Sequence, residues 1–151
     1  MSFLISAFVV GVACGLRALV GLAAVSWAAR SQQLPLQGTW LAFLGFSATP
    51  IITSLLAIGE LVTDKLPKTP SRLVPPQFAA RVSMGALTGA AIGVTHAHLL
   101  MGVLAGVIGA IIGTLLGYKT RAAASRLFGR DLPAALLEDI AAIVLLFVAL
   151  R

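Results

Sequence analysis

Residues 99–118 read LLMGVLAGVIGAIIGTLLGY, and this stretch decides the fold class. It contains no charged side chain, and as a helix it would cover about 30 Å, the thickness of a bilayer's hydrocarbon core. Gly102 and Gly106, then Gly109, Gly113 and Gly117, recur at every fourth position. The preceding apolar segment carries Gly85, Gly89 and Gly93 at the same spacing. Such spacing puts each series on one helix face and lets two backbones approach without side chains between them. These faces point to a tight hairpin of the two helices or to a seam joining copies of the chain in a homo-oligomer. A pore walled by glycine is the sharper alternative.

Four more apolar stretches surround this one, at 2–29, 40–62, 79–96 and 132–150. The expectation is a single all-α domain over 1–151, an integral membrane helical bundle of about five transmembrane helices. Composition agrees: 59% of residues are hydrophobic and 11% charged, against about 25% charged in a soluble domain. Too little polar surface exists to cover so large an apolar mass in water. A multi-pass protein of the cell inner membrane is therefore expected.

The stretch 2–29 is longer than one crossing requires and is interrupted by Arg17, so tilt or a break is expected. Pro50 predicts a kink within 40–62. Pro67, Pro70, Pro75 and Pro76 make 64–78 an extended loop. Residues 119–131 are basic and partly amphipathic, as in a helix lying on the membrane surface. The opening residues lack a basic segment, which argues against a cleaved signal peptide. Cys14 is the sole cysteine, so no intrachain disulfide can form, and it reads as a small packing residue.

Of eleven basic residues, eight flank the loops at 64–78 and 119–131, whereas Arg30 and Arg151 lie opposite. Positive charge marks the cytoplasmic side. With five spans the N-terminus is expected inside and the C-terminus outside, and Trp27 and Trp40 fall together at the outer interface. The net charge of +6 then reads as orientation plus affinity for anionic membrane lipids rather than for nucleic acid.

The ionisable residues are the candidate chemistry. Arg17, Glu60, Asp64, Glu138 and Asp139 are read as one polar site for a substrate or ion, because charge at bilayer depth needs a partner or a wet cavity. By depth, Arg17 is expected to meet Glu138 or Asp139 rather than Glu60; a purely structural ion pair is the bland reading. Lys65, Lys68, Arg72 and Arg81 are read as a cluster for an anionic lipid head group. Glu60 and Asp64 share a face at i, i+4 but lack further ligands for a metal, and His96 with His98 reads as a wetted turn. Lys65 and Arg72 have the spacing that opens a lipid-phosphatase signature, but Leu73 replaces its proline and the rest is missing. No catalytic set, cofactor or metal is expected.

Two stretches, Gly11-Val12-Ala13-Cys14-Gly15-Leu16-Arg17-Ala18 and Glu60-Leu61-Val62-Thr63-Asp64-Lys65-Leu66-Pro67, resemble the domain-of-unknown-function 4126 family of small polytopic membrane proteins. The resemblance runs loosely over most of the chain, with Glu-x-x-x-Asp-Lys-x-Pro its more specific part. It implies a bacterial-type integral membrane protein and brings no activity, substrate or catalytic residue. The leading functional expectation is a transport or permeation protein for a small or ionic solute. A lipid-head-group-binding or scaffold protein is the alternative, and an enzyme acting on a lipid phosphate is the weakest reading.

Overall fold

The computed structural model describes residues 2–66 and 71–151. Six α-helices and one short 3-10 turn account for the regular structure, with no strand among the described residues. The helices are α1 (Phe3–Leu16), α2 (Ala18–Arg30), α3 (Thr49–Thr63), α4 (Pro75–Val94), α5 (Leu99–Phe128) and α6 (Asp131–Ala149). The 3-10 turn, Ala42–Gly45, precedes α3. Among these, α5 and α6 are both long and apolar enough to cross a membrane.

The expected single span at 2–29 is two helices, because the chain breaks at Arg17, whose φ of −141° and ψ of 101° are extended. Each half is only about 20 Å long. The halves then fold back on each other: Phe3, at the start of α1, and Gln33, just beyond α2, line one small cavity. Glycine contacts give the other directions. Gly11 lies against Gly106 and Gly15 against Ala110, so α1 and α5 run parallel. Gly93 meets Gly102 and Gly85 meets Gly106, so α4 and α5 run antiparallel.

Consecutive helices therefore alternate in direction, and both chain ends lie at one end of the bundle. There the Phe3 ring stacks on His96 and His98, with centroids 5.0 and 5.4 Å away, and Leu150 borders the same cavity as Phe3. Six helices thus stand among the described residues, and the termini share one end of the bundle instead of the opposite ends that five spans would give them. The break at Arg17 adds a reversal that apolar content alone does not show.

Three smaller expectations change too. Pro50 does not kink a helix; it sits in the first turn of α3, where its missing N–H would have no intrahelical partner anyway. Residues 40–48 precede that helix. Residues 119–128 are not a separate surface helix but the continuation of α5, which stops at Gly129 in the left-handed region, φ 66°. Residues 75–78 belong to α4 rather than to a loop.

The core is built of small side chains. Val10, Ala13, Cys14, Thr88, Ala110 and Thr114 are essentially inaccessible, and Cys14 Sγ rests 3.4 Å from Thr88 Oγ1. Gly102 and Gly106 face α4, whereas Gly109 and Gly113 face Phe8 and Val12 of α1. A methyl added at any of them would fall on backbone of the neighbouring helix. The connection between α2 and α3 closes the end that holds the termini, burying Leu36, Leu41 and Leu44. The outside is apolar: Ile51, Leu55, Ile58, Leu100, Ile108, Ile140 and Phe147 all stand exposed.

Candidate functional site

At the other end of the bundle the break at Arg17 meets the ends of α3, α5 and α6. Arg17 is wholly buried. Its Nε donates to Asp139 Oδ1 at 2.7 Å, its Nη1 donates to Asp64, and Glu138 Oε2 is 3.8 Å from its Nη2. Arg17 thus meets both acids of α6, the partners expected for it, and Asp64 as well.

Three more cations complete the network. Lys65 Nζ donates to the other oxygen of Asp139 at 2.6 Å. Arg72 forks onto Glu138, its Nη2 donating to Oε2 at 2.9 Å and its Nη1 to Oε1. Arg121, on the part of α5 that extends past residue 118, pairs with Asp64 and grips Asp131 through Nε and Nη2 at 3.0 and 2.6 Å. Ser125 donates a further bond to Asp131 at 2.8 Å. Forked arginine–carboxylate bonds of this kind are the strong, geometrically demanding ones. Asp64, Glu138 and Asp139 each have a cation beside them in this low-dielectric region, as burial of charge requires.

The break itself is capped by opposite charges. The Ala18 and Leu19 amides, the first of α2, donate to Glu60 Oε1 and Oε2 at 2.8 and 2.9 Å. Arg81 Nη1 donates to the last carbonyls of α1, those of Gly15 and Leu16, at 3.0 and 2.6 Å. Thr114 adds a bond to the Gly15 carbonyl at 3.2 Å. A carboxylate at a helix N-terminus and a guanidinium at a C-terminus both match the local dipole and satisfy groups the helix leaves open.

Arg17, Asp64, Glu138 and Asp139 are thus one contact network, and Glu60 joins it only through the backbone beside Arg17. Of the residues read as a head-group cluster, Lys65 and Arg72 are spent on carboxylates, Arg81 is buried at 3% exposure, and Lys68 lies outside the described residues. The parts missed in the sequence are Arg121, Asp131 and the capping roles of Glu60 and Arg81. Their one available signal was that all five acidic residues fall near a single end of the helices. Gly117, beside Leu16, Arg72 and Glu138, gives the network room against α5.

An apolar groove of about 520 Å³ runs between α2 and α6, lined by Val20, Ala24, Trp27, Ile143 and Phe147. At its far end the Arg151 guanidinium lies 5.0 Å over the Phe147 ring. His96 and His98 are at that end too, remote from the ionic network.

No curated protein matches the chain, and no solved structure does. The family described as domain of unknown function (DUF4126) matches residues 4–151, essentially the whole chain, and the protein belongs to that family.

Proposed function

We propose that this is a multi-pass inner-membrane protein that moves a small charged solute through the site at the helix break. The observation that carries the reading is a helix interrupted at a buried arginine, with its two ends capped by charged side chains and five acidic residues gathered at one place. Interrupted helices whose ends face charged groups are how many transporters build a solute site within the bilayer. Ionisable groups at such depth by default mark a pathway.

The apolar exterior and the two bilayer-length helices support the membrane setting. In the topology proposed, all six helices enter the bilayer, and α1 with α2 forms a short hairpin. By sequence position, Arg17, Lys65, Lys68, Arg72, Arg81, Lys119, Arg121, Arg126 and Arg130 then lie toward the cytoplasm, opposite Arg30 and Arg151. Both termini face outward. If Phe3 marks the outer edge of the hydrocarbon, α1 carries Arg17 about 21 Å inward, still short of the cytoplasmic edge.

Flux into liposomes tests the reading. Purified protein is expected to accelerate uptake of at least one member of a panel of small labelled anions and cations, and Arg17→Gln to abolish it. Uptake equal to protein-free liposomes across the whole panel would overturn it. The α2–α6 groove favours a second reading, a lipid-binding protein, for which tightly held phospholipid after detergent exchange is the expected sign.

A further inference from the structure

We infer that the break between α1 and α2 is a binding site for a small monovalent oxyanion of the carboxylate class, occupied in this structure by the protein's own Glu60. The inference rests on reading this region as the solute site, and it names the solute's chemistry. Two consecutive amides aimed at one carboxylate make a ready anion cradle. Glu60 fills it with both oxygens, at 2.8 and 2.9 Å.

A second observation points the same way. At this break Arg81 Nε is buried with no hydrogen-bond partner; Arg17 Nη2, also without a hydrogen bond, faces Glu138 Oε2 at 3.8 Å. Arg17 is 0% exposed and Arg81 3%. Among the described residues Arg81 makes no ion pair; its bonds go to carbonyls. Buried cations with donors to spare are what an arriving anion would use.

Glu60 is also the acid that can leave. Asp64, Asp131, Glu138 and Asp139 each hold a basic side chain, so moving any of them breaks an ion pair. Among the described residues Glu60 is held by backbone amides alone. It is half-buried on α3, where the adjacent Gly59 has open space around it.

Charge balance fixes the stoichiometry. Arg17, Lys65, Arg72, Arg81 and Arg121 match Glu60, Asp64, Asp131, Glu138 and Asp139, five against five. An entering anion keeps that balance when Glu60 leaves the amides and takes up one proton from solvent. Around Glu60 the charged or titratable groups are Arg17 at the break, Cys14 on α1, Arg81 on α4 and Asp64 on its own helix. Anion and proton then bind together.

Thermal stability of the detergent-purified full chain against acetate, at pH 5.5 and pH 8.0 with chloride holding ionic strength constant, tests this. Acetate is expected to raise Tm saturably, because a ligand bound only to the folded state stabilises it. The half-saturating concentration should be higher at pH 8.0 than at pH 5.5, by up to about tenfold per pH unit when one proton enters with each anion. In Glu60→Gln it should be lower and the same at both pH values. If that variant does not fold, the pH dependence of the unaltered chain still decides. Acetate acting no better than chloride, or a half-saturating concentration equal at both pH values in the unaltered chain, would overturn the inference. Cation flux in liposomes without acetate binding overturns it while the transport reading stands; acetate binding without any flux does the reverse.

Discussion

Arg17 and Asp139, 122 positions apart in sequence, meet through a 2.7 Å bond from Nε to Oδ1, and this contact ties the helix break to α6. A guanidinium with no exposed surface persists there only because carboxylates surround it. Removing one partner of such a buried pair leaves the other uncompensated, at a cost of about 3–5 kcal/mol.

Arg17→Leu is therefore expected to lower stability in detergent by about that amount. Asp139→Asn should cost less, because Lys65 near the surface can turn to water. The double variant should be more stable than the sum of the single losses implies, with a coupling above about 1 kcal/mol. Denaturant titration of the four proteins measures it, and strict additivity would show that the pair contributes nothing specific.

The glycines divide by what surrounds them. Gly106 and Gly113 abut backbone of α4 and α1, so Gly106→Leu or Gly113→Leu should prevent accumulation of folded protein. Gly59, on α3, has nothing within 4 Å of an added methyl. Gly59→Ala should stabilise the chain by about 0.5–1 kcal/mol, the entropy that glycine costs inside a helix. Comparing folded yield and Tm of these variants checks both halves, and equal tolerance at all three sites would contradict the packing described.

The proposed topology, alternating helices with the basic end inside, makes a prediction about sidedness. After Cys14→Ala, single cysteines at Gln33 and Arg151 should react with an impermeant reagent applied outside intact cells. Cysteines at Ser71 and Ser125 should react only after permeabilisation. Labelling of position 151 and position 125 from the same side would rule out the arrangement.

The helices at 79–96, 99–118 and 132–150 are legible in the sequence because apolar length and glycine spacing are local properties. For 2–29 the excess length and the charge at Arg17 predict a tilt or a break, but not the reversal. No proline or run of turn residues marks Arg17, and the break persists because Arg81, Thr114 and Glu60, from three other helices, satisfy the backbone groups it opens. For the same reason Arg72 and Arg121 read as surface charge beside apolar segments, although Glu138 and Asp64 hold them in the network. Glu138 and Asp139 follow from depth as partners of Arg17 only with five spans and the N-terminus inside; in the structure the contact depends instead on the reversal at Arg17. Residues 40–48 read as the start of a span because they are apolar, but Leu41 and Leu44 are apolar through burial in the connection before α3.

The reversal at Arg17 is the claim on which the site depends, and the distance between spin labels at Ser2 and Ser31 tests it most directly. Both positions are exposed and flank the broken segment. Were 2–29 one continuous helix, the labelled backbones would stand about 44 Å apart, at 1.5 Å per residue. With α2 folded back so that Phe3 and Gln33 border one cavity, pulsed dipolar spectroscopy should return a distribution centred below half that value. A distribution centred near the full length would contradict the break, the shared end of the termini and the site built upon them.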